Sequence, residues 1–211
     1  MASSSQASTR KSIYGVHPGV QMVQDWIAGL KEKTGHTLEE WIALVKKSGP
    51  AGEEARREWL KKEHKFGTNA AWWIAERASG KGSEEDTPEK YLRAAEKYVE
   101  EMFAGGKAGL RPIYDALLSL GLSTGTDVKA CPCKTIVPLY RKHVFAQIKP
   151  TTRTRIDFGL CLRGVKPPKR LIDTGGAAKG DRITHRIEIS SLKDIDAEVK
   201  RWLKTAYEQD T

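Results

Sequence analysis

The hydrophobic period of this chain changes near residue 134, and that change limits the possible folds more than any other feature of the sequence. Before it, apolar residues recur at helical spacing, as Val20, Val23 and Ile27 do, so that they share one face of a helix. After it, apolar and polar residues alternate and face opposite sides of a strand. We therefore predict the fold class α+β: an N-terminal all-helical small bundle followed by an α+β domain with an antiparallel sheet and flanking helices.

Shifts in composition divide the chain into four segments. Residues 1–12 (MASSSQASTRKS) lack the apolar core of a secretory signal and are predicted to be a flexible tail. Residues 13–80 carry the helical periodicity and five of the six tryptophans, which supply large buried areas for a bundle. The small and charged residues 81–86 are predicted to be a linker, and residues 87–211 are predicted to form the α+β domain.

Polar residues in front of apolar runs predict where several helices begin. Thr37 and Glu40 are expected to form a capping box for the second helix. Thr68 is expected to cap the fourth helix. Ser191 is expected to cap the last helix, with Asp194 at its third position.

The clearest strand is predicted from Arg153 to Arg163. Its apolar side chains alternate with charged and polar ones, so burying the first set turns the second set toward solvent. The inward set is Ile156, Phe158, Leu160 and Leu162, and the outward set is Arg153, Arg155, Asp157, Cys161 and Arg163. Further strands are predicted over residues 134–142, 143–149 and 184–190, the last with Ile187 and Ile189 inward.

Positive charge is concentrated in the same region. Between Asp127 and Arg186, fourteen basic residues stand against four acidic ones, a net charge of +10, whereas the whole chain carries +9. Such a concentration points either to a polyanionic partner or to a solubility surface. Charge on an exposed strand also blocks edge aggregation, so the sequence leaves both interpretations open.

The candidate binding site is the outward face of the predicted sheet. Arginines in a row can each meet a phosphate, and several together release counterions and make binding sensitive to salt. Tyr140, His143 and Phe145 are candidates for stacking against bases. The predicted residues for binding nucleic acid or another anion are Lys142, Lys149, Arg153, Arg155, Arg163, Lys169 and Arg170.

Two well-known motifs are matched only in part. A helix-turn-helix could be drawn over residues 53–77, but its second helix is mostly apolar, whereas a helix that reads a DNA groove needs polar and basic side chains. We therefore interpret that region as part of a packed bundle. Loops rich in glycine and lysine occur at residues 80–83, 105–107 and 175–181, yet none has the order of a phosphate-binding P-loop.

No catalytic residue, metal site or cofactor is predicted. Cys131 and Cys133 form a C-x-C pair with Cys161 far downstream, without the paired spacing of a zinc site. His185 and Asp181 lie at one junction of loop and strand, where a lone histidine is usually structural. Three cysteines, an odd number, argue against a disulfide framework and fit a cytoplasmic protein, and no apolar run is long enough to span a membrane.

Two stretches of the chain resemble known families. From Ile13 to about Ala78, VQDWIAGLKEKTGHTLEEWIALVKKSG and WLKKEHKFGTNAAWWIAERA resemble a bacterial helical family, domain of unknown function 4287. From about Tyr91 to Glu208, KTIVPLYRKHVFAQIKP, RIDFGLCLRG and GDRITHRIEISSLKDIDAEVKRWLKTAYE resemble domain of unknown function 5655. The resemblance carries over neither an activity nor catalytic residues, because neither family defines them.

The leading hypothesis is a non-enzymatic binding protein whose basic sheet face contacts nucleic acid or another polyanion. A rival is a small-molecule binding protein or enzyme in which Arg155, Arg163 and His185 recognise an anionic ligand in a pocket on the sheet. A third is that the bundle mediates homodimerisation through an unburied tryptophan. Trp72 and Trp73 diverge by about 100° on a helix and cannot both face inward, so we expect one of them to be a surface anchor for the second domain. An exposed arginine stripe would favour the first, and an enclosed pocket the second.

Overall fold

The chain forms two compact units, seen in a computed structural model that describes residues 12–165 and 168–211. Residues 17–94 make one, the helical unit. The segment that ends at residue 16 joins residues 95–211 in the other, the α+β unit. The helical unit is therefore an insertion in the chain of the α+β unit, and the predicted tail, Ser12 apart, lies outside the described residues.

Four α-helices and the first part of a fifth make up the helical unit, whose residues are all described. They are α1 Pro18–Thr34, α2 Leu38–Ser48, α3 Glu53–His64, α4 Thr68–Ala78 and α5 Pro88–Met102. The predicted capping box of α2 is confirmed, since the Thr37 N–H donates to Glu40 Oε2 at 2.7 Å and the Glu40 N–H donates to Thr37 Oγ1 at 3.2 Å. Two orphan donors at the start of α2 are thereby satisfied.

The predicted cap at Thr68 is wrong by one residue. Gly67 occupies the N-cap position and Thr68 is the first residue of α4. The Gly67 carbonyl accepts the first helical hydrogen bond, from the Ala71 N–H at 3.0 Å, so the helix starts before the threonine. The buried core of the unit consists of Leu30, Leu38, Trp41, Val45, Leu60, Ala71, Ile74, Ala75 and Ala78.

The segment 81–86, expected to be a linker, lies inside the helical unit. Asp86 accepts hydrogen bonds from Arg77 Nε at 3.1 Å and from Arg77 Nη2 at 2.6 Å. Arg77 is only 7% exposed, so this ion pair ties the end of the segment to α4. The domain boundaries on either side of residues 81–86, which were inferred from composition, remain a prediction.

The α+β unit continues α5 and adds an antiparallel sheet, whose order within the described residues is β1-β2-β3-β4-β6-β5. Its strands are β1 Lys129–Ala130, β2 Val137–Tyr140, β3 Val144–Pro150, β4 Ile156–Leu160, β5 Ile172–Asp173 and β6 His185–Ile189. Its helices are α6 Arg111–Leu122, α7 Gly176–Lys179 and α8 Ala197–Gln209, with 3-10 helices at Gly105–Leu110 and Leu192–Asp194. The predicted α+β class is confirmed.

The inward alternation predicted for the sheet is confirmed. Ile156, Phe158 and Leu160 of β4 are fully buried, as are Ile187 and Ile189 of β6. They share one core with apolar residues of α6 and α8. The opposite side of these strands carries the polar residues.

The prediction of one strand from Arg153 to Arg163 is wrong at both ends. The strand ends at Leu160 because the next hydrogen-bond partner is a side chain and not the backbone of a neighbouring strand. The Thr184 hydroxyl accepts from the Leu162 N–H at 3.0 Å. Alternation stops there, and Cys161, which we expected on the polar face, is buried together with Leu162.

A short N-terminal segment belongs to the α+β unit. The Tyr14 hydroxyl lies 3.0 Å from the Tyr114 hydroxyl, and the Gly15 N–H donates to the Ala130 carbonyl at 2.9 Å. Burial raises the pKa of both tyrosines, so both hydroxyls are protonated at neutral pH and one donates to the other. Residues 13–16, expected in the bundle, are thus tied to α6 and β1.

The last helix begins later than predicted. Ser191 and Asp194 do form a capping box, but it closes the 3-10 helix Leu192–Asp194. The N-cap of α8 is Asp196, whose carboxylate accepts from the Glu198 N–H at 3.0 Å and the Val199 N–H at 3.1 Å. Among the described helices, none combines the length and apolar character that a membrane crossing requires.

Candidate functional site

One of the predicted anion-binding arginines, Arg155, is bound to the protein's own carboxylates, and Arg186 shares those carboxylates. Arg155 lies just before β4, with Nε 2.9 Å from Asp157 Oδ1 and Nη1 3.0 Å from Glu188 Oε1. Arg186 Nη1 lies 3.0 Å from Asp157 Oδ1 and 2.9 Å from Glu188 Oε1. These two cations and two anions, which we call the ion-paired face, carry no net charge. The positive charge that we expected along β4 is therefore neutralised by carboxylates of β4 and β6.

Arg170 is paired in the same way. Its Nη1 lies 2.5 Å from Asp196 Oδ2, and its Nη2 donates to the Asp194 carbonyl. The Val199 N–H foremost, and Arg170 with it, hold the pKa of Asp196 below its ordinary value. The carboxylate stays ionised well into acid, so Arg170 keeps its partner at neutral pH.

The remaining predicted residues do not form one stripe. Arg163 lies beyond the end of β4, and its main chain is held by Gln209, whose Oε1 accepts from the Arg163 N–H at 2.9 Å. Lys142 is exposed, and its backbone N–H donates to Asp210 Oδ2 at 3.0 Å. Lys169 is exposed in the loop before β5. These three residues take no part in the ion pairs of Arg155, whereas Lys149 and Arg153 line one cleft.

Lys149 and Arg153 line a cleft of about 650 Å³ in the α+β unit. Lys107 and Lys134 line it too, and we call these four residues the cationic cleft. Among the described residues, no carboxylate lies within 4 Å of their charged atoms. Glu101 is the acidic residue on the wall, and its carboxylate is 3.6 Å from Lys97 Nζ. The cleft therefore presents four cations, none of which forms an ion pair with a carboxylate of the described residues.

Three segments that are distant in sequence build the cleft. Lys107 comes from the 3-10 helix Gly105–Leu110, Lys134 from the loop before β2, and Lys149 from the end of β3. Lys107 Nζ donates to the Pro150 carbonyl at 2.7 Å, which fixes the 3-10 helix against β3. Two of the three ammonium donors of Lys107 are left for a ligand.

Sequence reasoning missed Lys107 and Lys134 as site residues. Lys107 lies 43 residues before Pro150 in the chain, so linear proximity gives no signal. The glycine–lysine loop at 105–107 was one available clue, but it lacks the P-loop order. Such a loop can still approach an anion, because a glycine wall lets neighbouring cations come close.

The aromatic residues expected to stack on bases are placed elsewhere. Phe145 is fully buried in the core, against the prediction. His143 Nδ1 lies 3.0 Å from Asp210 Oδ1 and its backbone N–H donates to Asp210 Oδ2 at 2.8 Å. Tyr140 is partly buried, and none of the three lines the cationic cleft.

A second pocket, of about 570 Å³, lies at the end of β4. Arg163 and His185 line it, as the rival hypothesis expects, but Arg155 is part of the ion-paired face and does not. Asp173 and Asp181 also line this Arg163 pocket, so its charges are mixed.

The tautomer of His185 follows from its neighbour. The Thr184 hydroxyl lies 2.8 Å from the Leu162 carbonyl and 2.8 Å from His185 Nδ1. Since the hydroxyl has one proton and the carbonyl can only accept, Nδ1 of a neutral His185 is the donor, and Nε2 is an acceptor. His185 is 7% exposed, so this donor is held in place.

Cys131 and Cys161 are buried free thiols. Burial raises the pKa of the Cys131 thiol to about 12, so it is protonated and unreactive at neutral pH. Within the described residues, no group of three or more histidine, cysteine or acidic side chains could hold a metal ion.

On the helical unit, α3 and α4 occupy the region of the partial helix-turn-helix motif. Ala71, Ile74 and Ala75 of α4 are fully buried, as the packed-bundle interpretation requires. Trp72 is 43% exposed, with the Arg57 guanidinium 5.6 Å from its ring centroid, while the Trp73 ring is 4.9 Å from that of Trp26. The two neighbours thus diverge as predicted.

Comparison with known proteins matches both halves of the chain to families without an assigned activity. Residues 23–79 match the model Domain of unknown function (DUF4287), and residues 99–210, more than half of the chain, match Domain of unknown function (DUF5655). Both resemblances expected from the sequence are confirmed. No curated protein and no solved structure matches the chain. The chain therefore belongs to the DUF5655 family, with a DUF4287 segment in front of its DUF5655 domain.

Proposed function

We propose that the protein is a non-enzymatic binding module that holds nucleic acid, or a polyanion like it, in the cationic cleft. The observation that carries the proposal is that Lys107, Lys134, Lys149 and Arg153 converge on one cleft without carboxylate partners among the described residues. Each such cation can make a charge-assisted contact to a phosphate oxygen and release a counterion. The free thiols of Cys131 and Cys161 are in keeping with action in the cytoplasm, where thiols stay reduced.

Titration of labelled single-stranded and duplex oligonucleotides at several salt concentrations tests this proposal. The test variant is Lys134→Gln/Lys149→Gln/Arg153→Gln. At about 1 to 1.5 kcal/mol per lost contact, it should bind about 100-fold or more weakly. The matched control is Lys179→Gln/Lys193→Gln/Lys200→Gln, which removes the same charge from exposed lysines of the same unit.

The two variants and the parent separate the possible outcomes. Binding that weakens steeply with salt and is lost only in the cleft variant supports the proposal. If the control variant loses as much affinity as the cleft variant, the attraction is diffuse and the cleft is not the site. Absence of binding by the parent protein at low salt would rule the function out.

A second candidate function is recognition of a small anion in the Arg163 pocket. It is favoured by the convergence of Arg163 and His185 on one cavity, and weakened by Asp173 and Asp181 on the same wall. Thermal-shift measurements with small phosphates and carboxylates test it: a stabilising ligand should lose its effect in Arg163→Gln but not in Lys193→Gln. No stabilisation by any member of such a panel would argue against this function.

A further inference from the structure

The side chain of Arg153 passes close to Gly106 on the wall of the cationic cleft. Gly106 lies in the 3-10 helix Gly105–Leu110, and a Cβ atom there would stand 3.2 Å from Arg153 Cδ and 3.3 Å from Arg153 Nε. Such distances are tighter than most real Cβ contacts, so a Cβ atom at 106 would require the arginine to shift by a few tenths of an ångström, and a larger side chain would require a larger shift. Gly109, in the same 3-10 helix, has no atom within 4 Å of its Cβ position. The close approach is therefore particular to Gly106.

The groups on the cleft wall are suited to phosphate oxygens rather than to bases. Besides the four cations, the wall offers the hydroxyl of Thr135, which can donate to an anion, and that of Thr151, which donates to the Lys149 carbonyl at 3.4 Å and can exchange that long hydrogen bond for one to an anion. None of the described residues that line the cleft is aromatic, so it has no platform on which a base could stack. Donors without stacking surfaces bind the backbone and carry no sequence information.

The shape of the site favours a chain-like anion over a membrane. The cations line a concave space, and one of them, Lys107, is fixed by its hydrogen bond to the Pro150 carbonyl. A flat layer of lipid headgroups cannot follow a concave wall, and that wall also carries the acidic Glu101. A narrow phosphate backbone can enter the cleft and reach all four cations.

We propose that the cleft grips the phosphodiester backbone of a nucleic acid without reading its bases, and that Gly106 is the positioning residue that lets Arg153 reach a phosphate. This inference rests on the proposed function and adds to it the recognised group and the residue that orients Arg153.

The first arm of the test compares ligands on the unmodified protein. Homopolymers, mixed sequences and an abasic oligonucleotide of equal length should bind within about threefold of one another, because backbone contacts are independent of sequence. With four cations, the slope of log K against log salt should be roughly −3. Loss of binding to the abasic strand, or a preference above about tenfold for one sequence, would overturn the backbone assignment while leaving the proposed function standing.

The second arm tests Gly106. Gly106→Leu should weaken binding about tenfold, close to the loss in Arg153→Gln, and Gly106→Ala should have a smaller effect of about twofold, because the arginine need yield only slightly. Gly109→Leu is the matched control and should bind like the parent. Thermal unfolding of each variant shows whether the fold is retained.

A double-mutant cycle separates positioning from a merely structural role. In the Arg153→Gln background, Gly106→Leu should cost no further affinity, because the residue through which it acts is gone. An equal loss in both backgrounds would show that Gly106 does not act through Arg153. If the unmodified protein binds no oligonucleotide, the proposed function fails first and by itself.

Discussion

Arg153 and Arg155 stand two residues apart in the chain, yet they belong to surfaces of opposite character. Arg155 lies in the ion-paired face, where two arginines and two carboxylates neutralise one another. Arg153 lies in the cationic cleft, where no carboxylate of the described chain comes within 4 Å of its guanidinium. A count of basic residues treats the two alike. Partners decide whether a charge is available to a ligand or is used within the fold.

The register of the sheet explains why the ion-paired face needs its arginines. Asp157 of β4 lies directly opposite Glu188 of β6, and like charges in that position repel. Arg155 and Arg186 approach both carboxylates and offset that repulsion. Among the described atoms, Arg155 Nε and Asp157 Oδ1 are buried without an aligned hydrogen bond, so their contact is mainly electrostatic. These arginines therefore stabilise the sheet.

Placing carboxylates in the cleft should abolish the difference between the two surfaces. Thr135→Glu/Thr151→Glu adds two acids to the cleft wall, where both threonines are exposed. Each should pair with neighbouring cations and repel phosphate, so oligonucleotide affinity should fall about tenfold per carboxylate, or about 100-fold in total. Anisotropy titration measures the loss, and Thr135→Gln/Thr151→Gln is the uncharged control. Unchanged affinity would mean that the cleft is not where the anion binds.

Removing the shared carboxylate of the ion-paired face should have the reverse effect on binding. Asp157→Asn leaves Arg155 and Arg186 with one carboxylate between them, which should lower the free energy of unfolding by about 2 kcal/mol. The freed charge should also raise oligonucleotide affinity by about twofold to fivefold. Chemical denaturation and the same titration measure the two effects. A gain in stability would show that these arginines do not offset the repulsion between acids.

A substitution that lowers stability without changing any charge separates the effect of stability on binding from the effect of charge. Tyr114→Phe removes the 3.0 Å hydrogen bond to Tyr14 and should lower the free energy of unfolding by about 1 kcal/mol. Oligonucleotide affinity should stay the same, because no charge near the cleft changes. Should this variant bind as weakly as one altered in the cleft, losses in the other variants would reflect stability instead of contact.

Acid titration gives the smallest expected effect and tests another paired arginine, Arg141, whose Nε lies 3.0 Å from Asp127 Oδ2. Hydrogen bonds from the Tyr207 hydroxyl, foremost, and from Arg141 hold the pKa of Asp127 below its ordinary value. A lowered pKa in the folded state means that the stabilisation is present above pH 3.8, the ordinary value, and is lost as the pH falls through the folded-state pKa. Melting temperatures between pH 5 and acid should therefore decline less steeply in Asp127→Asn. Parallel curves for the two proteins would contradict the assignment.

Local sequence signals predicted the fold where the interactions are themselves local. The Thr37–Glu40 capping box lies within one helical turn, and the burial of Ile156, Phe158 and Leu160 follows from alternation within one strand. The predicted alternation failed after Leu160, where Cys161 is buried instead of exposed, because the Thr184 side chain replaces a backbone partner of Leu162, 22 residues away in the chain. The alternation of apolar and polar residues does not indicate that a distant side chain will replace a backbone hydrogen-bond partner.

The candidate site could be predicted only in part, for the same physical reason. Lys149 and Arg153 are close in the chain and were predicted together. Lys107 joins them through a hydrogen bond across 43 residues, and the pairing of Arg155 depends on Glu188 of another strand. Composition shows that a region is basic, but the tertiary structure determines which cations keep a partner.

The attachment of Tyr14 to Tyr114 has a consequence during synthesis on the ribosome. Tyr14 is made 100 residues before its partner, which corresponds to roughly 5 to 20 s of translation. During that interval the helical unit, whose chain is complete earlier, can fold while the emerged N-terminal segment has no binding surface. The N-terminal segment of the α+β unit is thus made before the helical unit, but its partner Tyr114 is made only after it.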